Sequence, residues 1–476
     1  MQRRKFLRNT AMFSGLTLIN PMEIIAGTPV NLGFPTVRVA KNKRNFESDV
    51  IEKTIAEFQK NVNDKELGWL FNNCFPNTLD TTVTYKEKKG KPDTYVITGD
   101  IDAMWLRDSS AQVWPYMAFT GKDQKLKNLI AGVINRQTEY ILKDPYANAF
   151  YDDANKKGEW TSDLTDMKPG VHERKYEIDS LCYPIRLAYN YWKNTGDTAP
   201  FDENWVKAID ETLKVFKDQQ QKDGTNPYTF QRTTQFATDT RPLKGYGYPV
   251  KPVGLVCSAF RPSDDATVFS FLIPSNFFIV VSLRQAAEMM ETIKKNNSKA
   301  KQLRVLADEV EKAIKNHGIV KHPKYGDIYA FEVDGFGGHL LMDDSNVPSL
   351  LSLPYLDAID VNDPIYQNTR KFVLSEDNPF FFKGKVAEGV GGPHVGMNMI
   401  WPMSLVMRAY TTSDPKEIKD CIKMLKASHG NTGFMHESFH KDDAKNFTRS
   451  WFAWTNTLFG ELLWDTYQKN PKLLEL

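Results

Sequence analysis

Cysteine is scarce in this chain. Its four cysteines, Cys74, Cys182, Cys257 and Cys421, stand far apart in 476 residues and form no CxxC pair. That spacing argues against a zinc knuckle. Two disulfides are possible but not implied, because isolated cysteines in a chain this long are most often free and buried. Charge of one sign is also lacking: Lys+Arg is 61 and Asp+Glu is 59. No strong field therefore favours a nucleic acid or an anionic membrane as partner. After the N-terminus no run is long and apolar enough to span a bilayer. No internal repeat and no Gly/Ser-rich linker divides the chain. Aromatic residues, in contrast, are plentiful at 12%, with 10 Trp and 19 Tyr. That fits carbohydrate handling, although large helical cores also use aromatics.

Residues 1–26 read as an export signal. MQRRKFLRNTAMFSGLTLINPMEIIAG has a basic start, a modest apolar stretch and small residues at Ala26 and Gly27. Arg3-Arg4-Lys5-Phe6-Leu7 resembles the twin-arginine signal of bacteria. An ordinary Sec signal with paired arginines is the alternative. Ser14, Gly15, Thr17 and Asn20 interrupt the apolar run, which is too short and polar for a membrane span. No cysteine near the expected cleavage region offers a lipid anchor. The expected location is the bacterial periplasm. Removing Arg3, Arg4, Lys5, Arg8 and Glu23 takes the formal net charge from +2 to −1.

The remaining chain, 27–476, reads as a single domain of helices joined by Gly-, Pro- and Asp-rich loops. Residues 48–63 are amphipathic, with Val50, Ile51, Ile55, Phe58 and Val62 near helical spacing. Residues 66–75 continue with Leu67, Leu70 and Phe71. A hairpin follows, its strands 81–87 and 94–98 flanking Lys88-Lys89-Gly90-Lys91-Pro92. Helical patterns then recur at 104–119, 123–142, 175–195, 202–222, 266–293, 298–317, 364–373, 396–412, 414–428 and 449–468. The helices come in pairs. Long loops at 144–174, 224–265, 318–349, 376–395 and 430–448 hold the polar and aromatic material. Loops of that length in a compact protein are usually functional. Helical hairpins with chemistry gathered in alternate loops suit an all-α, closed α/α toroid, its inner helices forming a funnel rimmed by loops.

TGDIDAMWLRDSSAQVWPY, residues 98–116, sets Asp100, Asp102, Arg107 and Asp108 among Trp105, Trp114 and Tyr116. Carboxylates and guanidinium groups bond hydroxyls, and rings pack on the C–H faces of a sugar. The plainer reading is a buried Arg–Asp pair tying two helices together. In the next cluster, 172–180, Tyr176 or Asp179 could face a pocket. Glu177 and Asp179 could equally serve the positive end of a helix starting near Tyr176. A third cluster is Phe260-Arg261-Pro262-Ser263-Asp264-Asp265. One acid could cap the following helix. Two adjacent carboxylates beside Arg261 exceed that need, and crowding raises a carboxyl's proton affinity.

His436-Glu437-Ser438-Phe439-His440 is literally HExxH, the zinc-protease pattern. Asn431-Thr432-Gly433 before it and Lys441-Asp442-Asp443 after it read as loop, with no surrounding apolar helix. Glu437 is better read as a lone carboxylate at a pocket rim. Gly389-Val390-Gly391-Gly392-Pro393-His394 lacks the spacing of a dinucleotide loop and suits close backbone approach to a ligand. Residues 342–349, with Asp343 and Asp344, could hold a cation but lack EF-hand spacing, so helix capping is the better reading. Trp451, Trp454 and Asn456 are read as core or as funnel wall.

TGDIDAMWLRDSSAQVWPY, AFRPSDDATVFSFLIPSN, TGFMHESFH and SWFAWTNTLFGELL together resemble glycoside hydrolase family 125, over about 46–467. The resemblance implies an (α/α)6 barrel and an exo-acting α-1,6-mannosidase that inverts without metal or other cofactor. It places the acid in the Asp264–Asp265 pair, with Asp264 favoured, and the base at Glu437. It assigns Arg107 and Asp108 to sugar binding. Asp102, Trp105, Arg261, Asp265, His394 and His436 complete the expected substrate contacts. The expected partner is a mannose-containing oligosaccharide. Two other readings remain: another toroidal glycosidase, of the glucoamylase, trehalase or calcium-dependent α-1,2-mannosidase kind, and a non-catalytic glycan-capture protein of the envelope. The latter usually carries an anchoring cysteine after its signal, which is missing here.

Overall fold

The computed structural model describes residues 33–476. The expected export segment 1–26 lies outside the described residues. Two antiparallel helices, α1 (Asp49–Asn61) and α2 (Lys65–Cys74), open the fold, followed by the short α3 (Asn77–Thr81). The expected hairpin is present as Val83–Lys88 paired with Lys91–Val96, in register Val83↔Val96 through Lys88↔Lys91. Lys89 and Gly90 make its turn, both at positive φ.

Ten further helices follow: α4 (Leu106–Val113), α5 (Gln124–Lys143), α6 (Ile178–Thr195), α7 (Glu203–Asp218), α8 (Ile273–Thr292), α9 (Asn297–His317), α10 (Pro364–Val373), α11 (Pro402–Tyr410), α12 (Pro415–Ala427) and α13 (Ala453–Lys469). They alternate between an inner and an outer ring. Contacts run along the inner ring from α11 to α13, α4, α6 and α8. The gap between α8 and α11 is filled by buried turns at 347–356 instead of a sixth regular helix. These turns are tied to α6 by the Tyr183 hydroxyl, which donates to the Val347 carbonyl at 3.0 Å. They are tied to α13 by Tyr355, whose hydroxyl donates to Glu461 at 3.0 Å. The outer helices back this ring: α2 on α13, α5 against α6, α9 on α8, and α12 on α11.

The two rings start their helices differently. Every outer helix has a side-chain cap: Ser48 for α1, Asp64 for α2, Asp123 for α5, Asp202 for α7, Asn296 for α9, Asp363 for α10 and Asp414 for α12. These oxygens take up amides that a helix start leaves unpaired. The inner helices α4, α6, α8, α11 and α13 have no side-chain cap. Their starting amides bond to distant loops instead. Leu106 N donates to the Asn148 carbonyl at 3.0 Å, and Ile273 N to the Phe331 carbonyl at 2.9 Å. Ile178 N donates to the Ser258 hydroxyl at 3.1 Å. Trp401 N and Phe452 N, just ahead of α11 and α13, donate to Val390 and Met435 carbonyls at 3.2 and 3.0 Å. The long loops thus serve as caps for the inner ring.

Those loops also carry small antiparallel strands that the sequence pattern did not announce. Met104–Trp105 pairs with Ala149–Phe150, which pairs with Val171–Glu173. Phe271–Leu272 pairs with Glu332–Val333, and Met399–Ile400 with Phe439–His440. Each joins the residue preceding an inner helix to a neighbouring loop. All four cysteines are buried and free.

Candidate active site

The first turns of α4, α6 and α13 meet at one end of the ring, and the loop at 261–265 joins them. Arg107, in the first turn of α4, is buried there. One Nη donates to Glu177 at 2.7 Å and the other to Asp264 at 3.2 Å. Asp179 lies at 3.5 Å and Asp108 at 3.7 Å from the same guanidinium. The face of Trp454, from α13, is 5.9 Å away. Burial opposes the charge of Arg107, but Glu177, Asp108, Asp179 and Asp264 outweigh it and hold the guanidinium protonated.

Four carboxyl groups around one cation cannot all ionise cheaply. Burial pushes Asp108 up to about 6, against the pull of Arg107. Burial likewise pushes Asp179 up to about 7, with Asp264 and Asp108 adding repulsion. Glu177 is raised well above the usual range, first by burial and then by its acidic neighbours. The cluster therefore keeps carboxylic acids protonated near neutral pH, which a proton donor requires.

The two adjacent acids separate. Asp264 sits at φ 66°, in the left-handed region that Asp tolerates better than most residues. Its amide donates to the Arg261 carbonyl at 2.9 Å, and its carbonyl accepts from Lys175 Nζ at 2.9 Å. This turn directs its carboxylate to Arg107 and leaves the side chain 14% accessible. The Asp265 side chain is 2% accessible and meets His394 Nδ1 at 3.2 Å. Its other oxygen, Oδ2, is buried without a protein partner. Only Asp264 combines accessibility with a place in the carboxyl cluster.

Glu437 lies at a second corner. Its Oε1 is 3.1 Å from Arg449 Nε, and Arg449 also pairs with Asp100. The TGDID and HESF segments thus meet through Arg449. Asp108 feels Arg107 and Asp264 on one hand and Arg449 on the other, which links the two corners electrostatically.

His436 belongs to this corner as a neutral ring. It stacks on Phe447 at 4.0 Å, its Nδ1 contacts the Arg449 carbonyl at 2.7 Å, and burial pushes its pKa down to about 4. His440 lies in the strand Phe439–His440, so the literal HExxH does not put its histidines on one helix face. Trp105 is buried and meets His172 edge to face, with ring centroids 5.0 Å apart. Among the described residues, Trp105 Nε1, Trp401 Nε1, His436 Nε2 and Asp265 Oδ2 are buried without a partner. A polyhydroxylated ligand could satisfy such groups. No group of three or more His, Cys, Asp or Glu among the described residues is arranged to hold a metal ion.

Two expected contacts are placed elsewhere. The Asp102 side chain is 74% exposed and pairs with Lys156 at 3.1 Å, outside the buried cluster. The glycine and loop residues around it put it at the surface. Arg261 is buried, with its Nε committed to Glu332 at 2.6 Å. The other Glu332 oxygen accepts from Val268 and Phe269 amides at 2.9 Å each, so this pair braces the loop leading to α8. Two residues of the network escaped the sequence pattern. Arg449 carried no motif signal beyond standing just ahead of a Trp-rich helix. Glu177 was visible but read for its place at a helix start.

A ring of helical pairs with one acidic group at the inner-helix starts and a second carboxylate, Glu437, on a neighbouring loop suits glycoside hydrolysis, which uses two carboxyl groups. The family described as metal-independent alpha-mannosidase, glycoside hydrolase family 125, matches residues 64–464, and the chain belongs to it. It is 43% identical over 462 residues to the "Meiotically up-regulated gene 157 protein" of Schizosaccharomyces pombe, covering 93% of this chain and 91% of that one. It is also similar to a metal-independent α-mannosidase of Streptococcus pneumoniae, solved as a non-productive substrate complex with α-1,6-mannobiose. That match has 42% identity and a TM-score of 0.86, covering 90% of this chain and 100% of that one. A bacterial glucoamylase complexed with acarbose shares the fold at 14% identity and a TM-score of 0.51, over 88% of this chain and 57% of that one.

Proposed function

We propose that this α-mannosidase is exo-acting and inverting, and that it removes terminal mannose from α-1,6-mannosides. The buried turns at 347–356 serve as the sixth inner element of an (α/α)6 barrel. Asp264 is the general acid and Glu437 the general base. The observation that carries this assignment is the contrast between the two corners. Asp264 stands among proton-retaining carboxyls, while Glu437 stands apart from them, 3.1 Å from the cation Arg449.

In the reaction, Asp264 gives its proton to the glycosidic oxygen as the C–O bond breaks. Glu437 takes a proton from water as that water attacks the opposite face of the anomeric carbon. The products are free mannose and the shortened glycan alcohol. A carboxyl separation of about 6.5–9.5 Å admits the water. Arg107, Asp108 and Trp105 bind the terminal sugar, with His394 and Asp265 beside the acid. Exo action follows in this reading if the long loops close one end of the site, so that only a terminal sugar fits.

The test is release of free mannose from α-1,6-mannobiose with and without EDTA. Equal release in both supports the reading. Loss on chelation with recovery on calcium would favour the calcium-dependent class. The same proposal includes export through residues 1–26. Replacing Arg3 and Arg4 by lysine should retain the protein inside the cell if the twin-arginine route is used.

A further inference from the structure

Glu177 occupies the N-cap position of α6 yet makes no cap. A Glu side chain close to a helix start commonly turns back to free amides. Here the Ile178 amide is taken by Ser258, and the Glu177 carboxyl is left to face the site. It is fully buried. From α4 it meets Arg107 at 2.7 Å, with Asp108 behind that guanidinium. From its own helix the Ser180 hydroxyl donates to it at 2.9 Å, with Asp179 alongside. From the loop at 144–174, Asn148 Nδ2 approaches at 3.4 Å and also donates to Glu173 at 3.0 Å. From the loop at 261–265 it faces Asp264, whose carboxylate takes the other Nη of Arg107 at 3.2 Å and whose nearness adds to burial in raising the proton affinity of Glu177.

Two carboxyls held on the two Nη atoms of one buried guanidinium, with Asp179 and Asp108 beside them, cannot all ionise cheaply, so the pair retains a proton. Arg107 lies between the two groups and contacts both, which sets their geometry. As an ion-pair partner alone Glu177 would be surplus, because Asp264, Asp179 and Asp108 already surround the cation.

We propose that Glu177 is a positioning residue for the acid: Glu177 and Asp264 hold one proton between them, aligned by Arg107, and Asp264 delivers it. This rests on the assignment of Asp264 above. The shared proton belongs to the pair, as in other close carboxyl dyads. Asp264 is the accessible member, so the proton leaves through it to the glycosidic oxygen. Both carboxylates then face Arg107 until solvent returns a proton. Burial and crowding hold Glu177 well above the ordinary range, in keeping with a pair that retains its proton at neutral pH.

The experiment compares pH profiles of kcat/KM for the wild type, Glu177→Gln and Asp264→Asn, on α-1,6-mannobiose and on dinitrophenyl α-mannoside. Glu177→Gln should move the basic limb down by about one pH unit and leave the acidic limb in place. Its loss on mannobiose should reach about tenfold on the alkaline side and shrink as pH falls, with less than about threefold lost on the activated substrate. An unmoved basic limb, or an equal pH-independent loss on both substrates, would overturn the inference. Asp264→Asn separates the two levels: if it lacks the leaving-group dependence of an acid variant, the assignment of Asp264 fails first. Should Glu177→Gln not fold, carbon-13 carboxyl titration of the wild type and Asp264→Asn decides. Removal of Asp264 must shift the Glu177 titration, and an unchanged Glu177 titration contradicts the shared proton.

Discussion

The outer helices begin on their own sequence, each from a Ser, Asp or Asn that bonds the first amides. The inner helices begin on tertiary structure, with their first amides held by loops from elsewhere in the chain. An Asp or Ser cap suffices where a helix only has to back the ring. At the inner ring the starting turns carry Arg107, Asp108 and Asp179 and stand next to Asp264 and Arg449. A local cap there would occupy the positive helix ends that help to stabilise acidic groups in the site. The inner ring is therefore arranged for chemistry and the outer ring for stability, and substitutions in the two should have different signatures.

The largest expected effect is on the inner side. Glu437→Ala should leave the fold and substrate binding in place and reduce kcat by about two to four orders of magnitude, the usual scale for a general base. Calorimetric binding of α-1,6-mannobiose to the variant, beside its turnover, checks this. A loss of binding of the same size would assign Glu437 to substrate affinity instead.

Next comes the Asp264–Asp265 pair. Asp264→Asn should abolish most turnover of mannobiose and spare dinitrophenyl α-mannoside, whose leaving group needs little protonation. Asp265→Asn, which disturbs the contact to His394, should slow both substrates alike. The reverse pattern would exchange their roles.

A smaller effect concerns pH and stability. Burial raises Asp108 to about 6, Asp179 and Glu461 to about 7 and Asp343 to about 8. A raised carboxyl contributes stability that is complete below its unfolded-state range and is lost as pH rises through the folded value. Burial lowers His172 and His436 to about 4, so their contribution is present above about 6.5 and is lost as pH falls from there to about 4. On these groups Tm should fall by about 5 °C as pH rises from about 5 to about 8, because four carboxyls lose stability over that range and only two histidines gain it. A Tm that climbs steadily over that range would contradict the raised carboxyls.

The smallest effect lies in the outer ring. Asp123 caps α5 through the Lys125 and Leu126 amides and also accepts from Ser48. Asp123→Ala should cost about 1 kcal/mol of stability and leave kcat/KM unchanged. An activity loss without a fall in Tm would erase the proposed division between the rings.

The same division explains what could be read in advance. The expected outer starts at 123, 202, 298, 364 and 414 fall within one residue of Gln124, Glu203, Asn297, Pro364 and Pro415. Their caps and amphipathic spacing are local signals. The expected inner starts at 104, 175, 266, 396 and 449 come earlier than Leu106, Ile178, Ile273, Pro402 and Ala453. These helices are buried on most sides and lack caps, so hydrophobicity runs on into the preceding strand or loop. The strands around the site depend on partners far along the chain and leave no periodicity in two or three residues. Within the site, Arg107, Asp108, Asp264 and Glu437 were legible because charges stood among aromatics in long motifs. Arg449 was not, since its role comes from meeting Asp100 and Glu437 in space. Asp102 shared the motif of Arg107 but falls ahead of the strand that turns inward, and so reaches the surface.

Anomeric stereochemistry tests the central claim most directly. Proton NMR during the first turnovers of α-1,6-mannobiose resolves the two anomers before mutarotation mixes them. If Asp264 and Glu437 act as acid and base on opposite faces, β-mannose appears first. A nucleophilic carboxylate, about 5–5.5 Å from the acid, would pass through a glycosyl-enzyme and release α-mannose. Observation of α-mannose first would contradict the inverting mechanism.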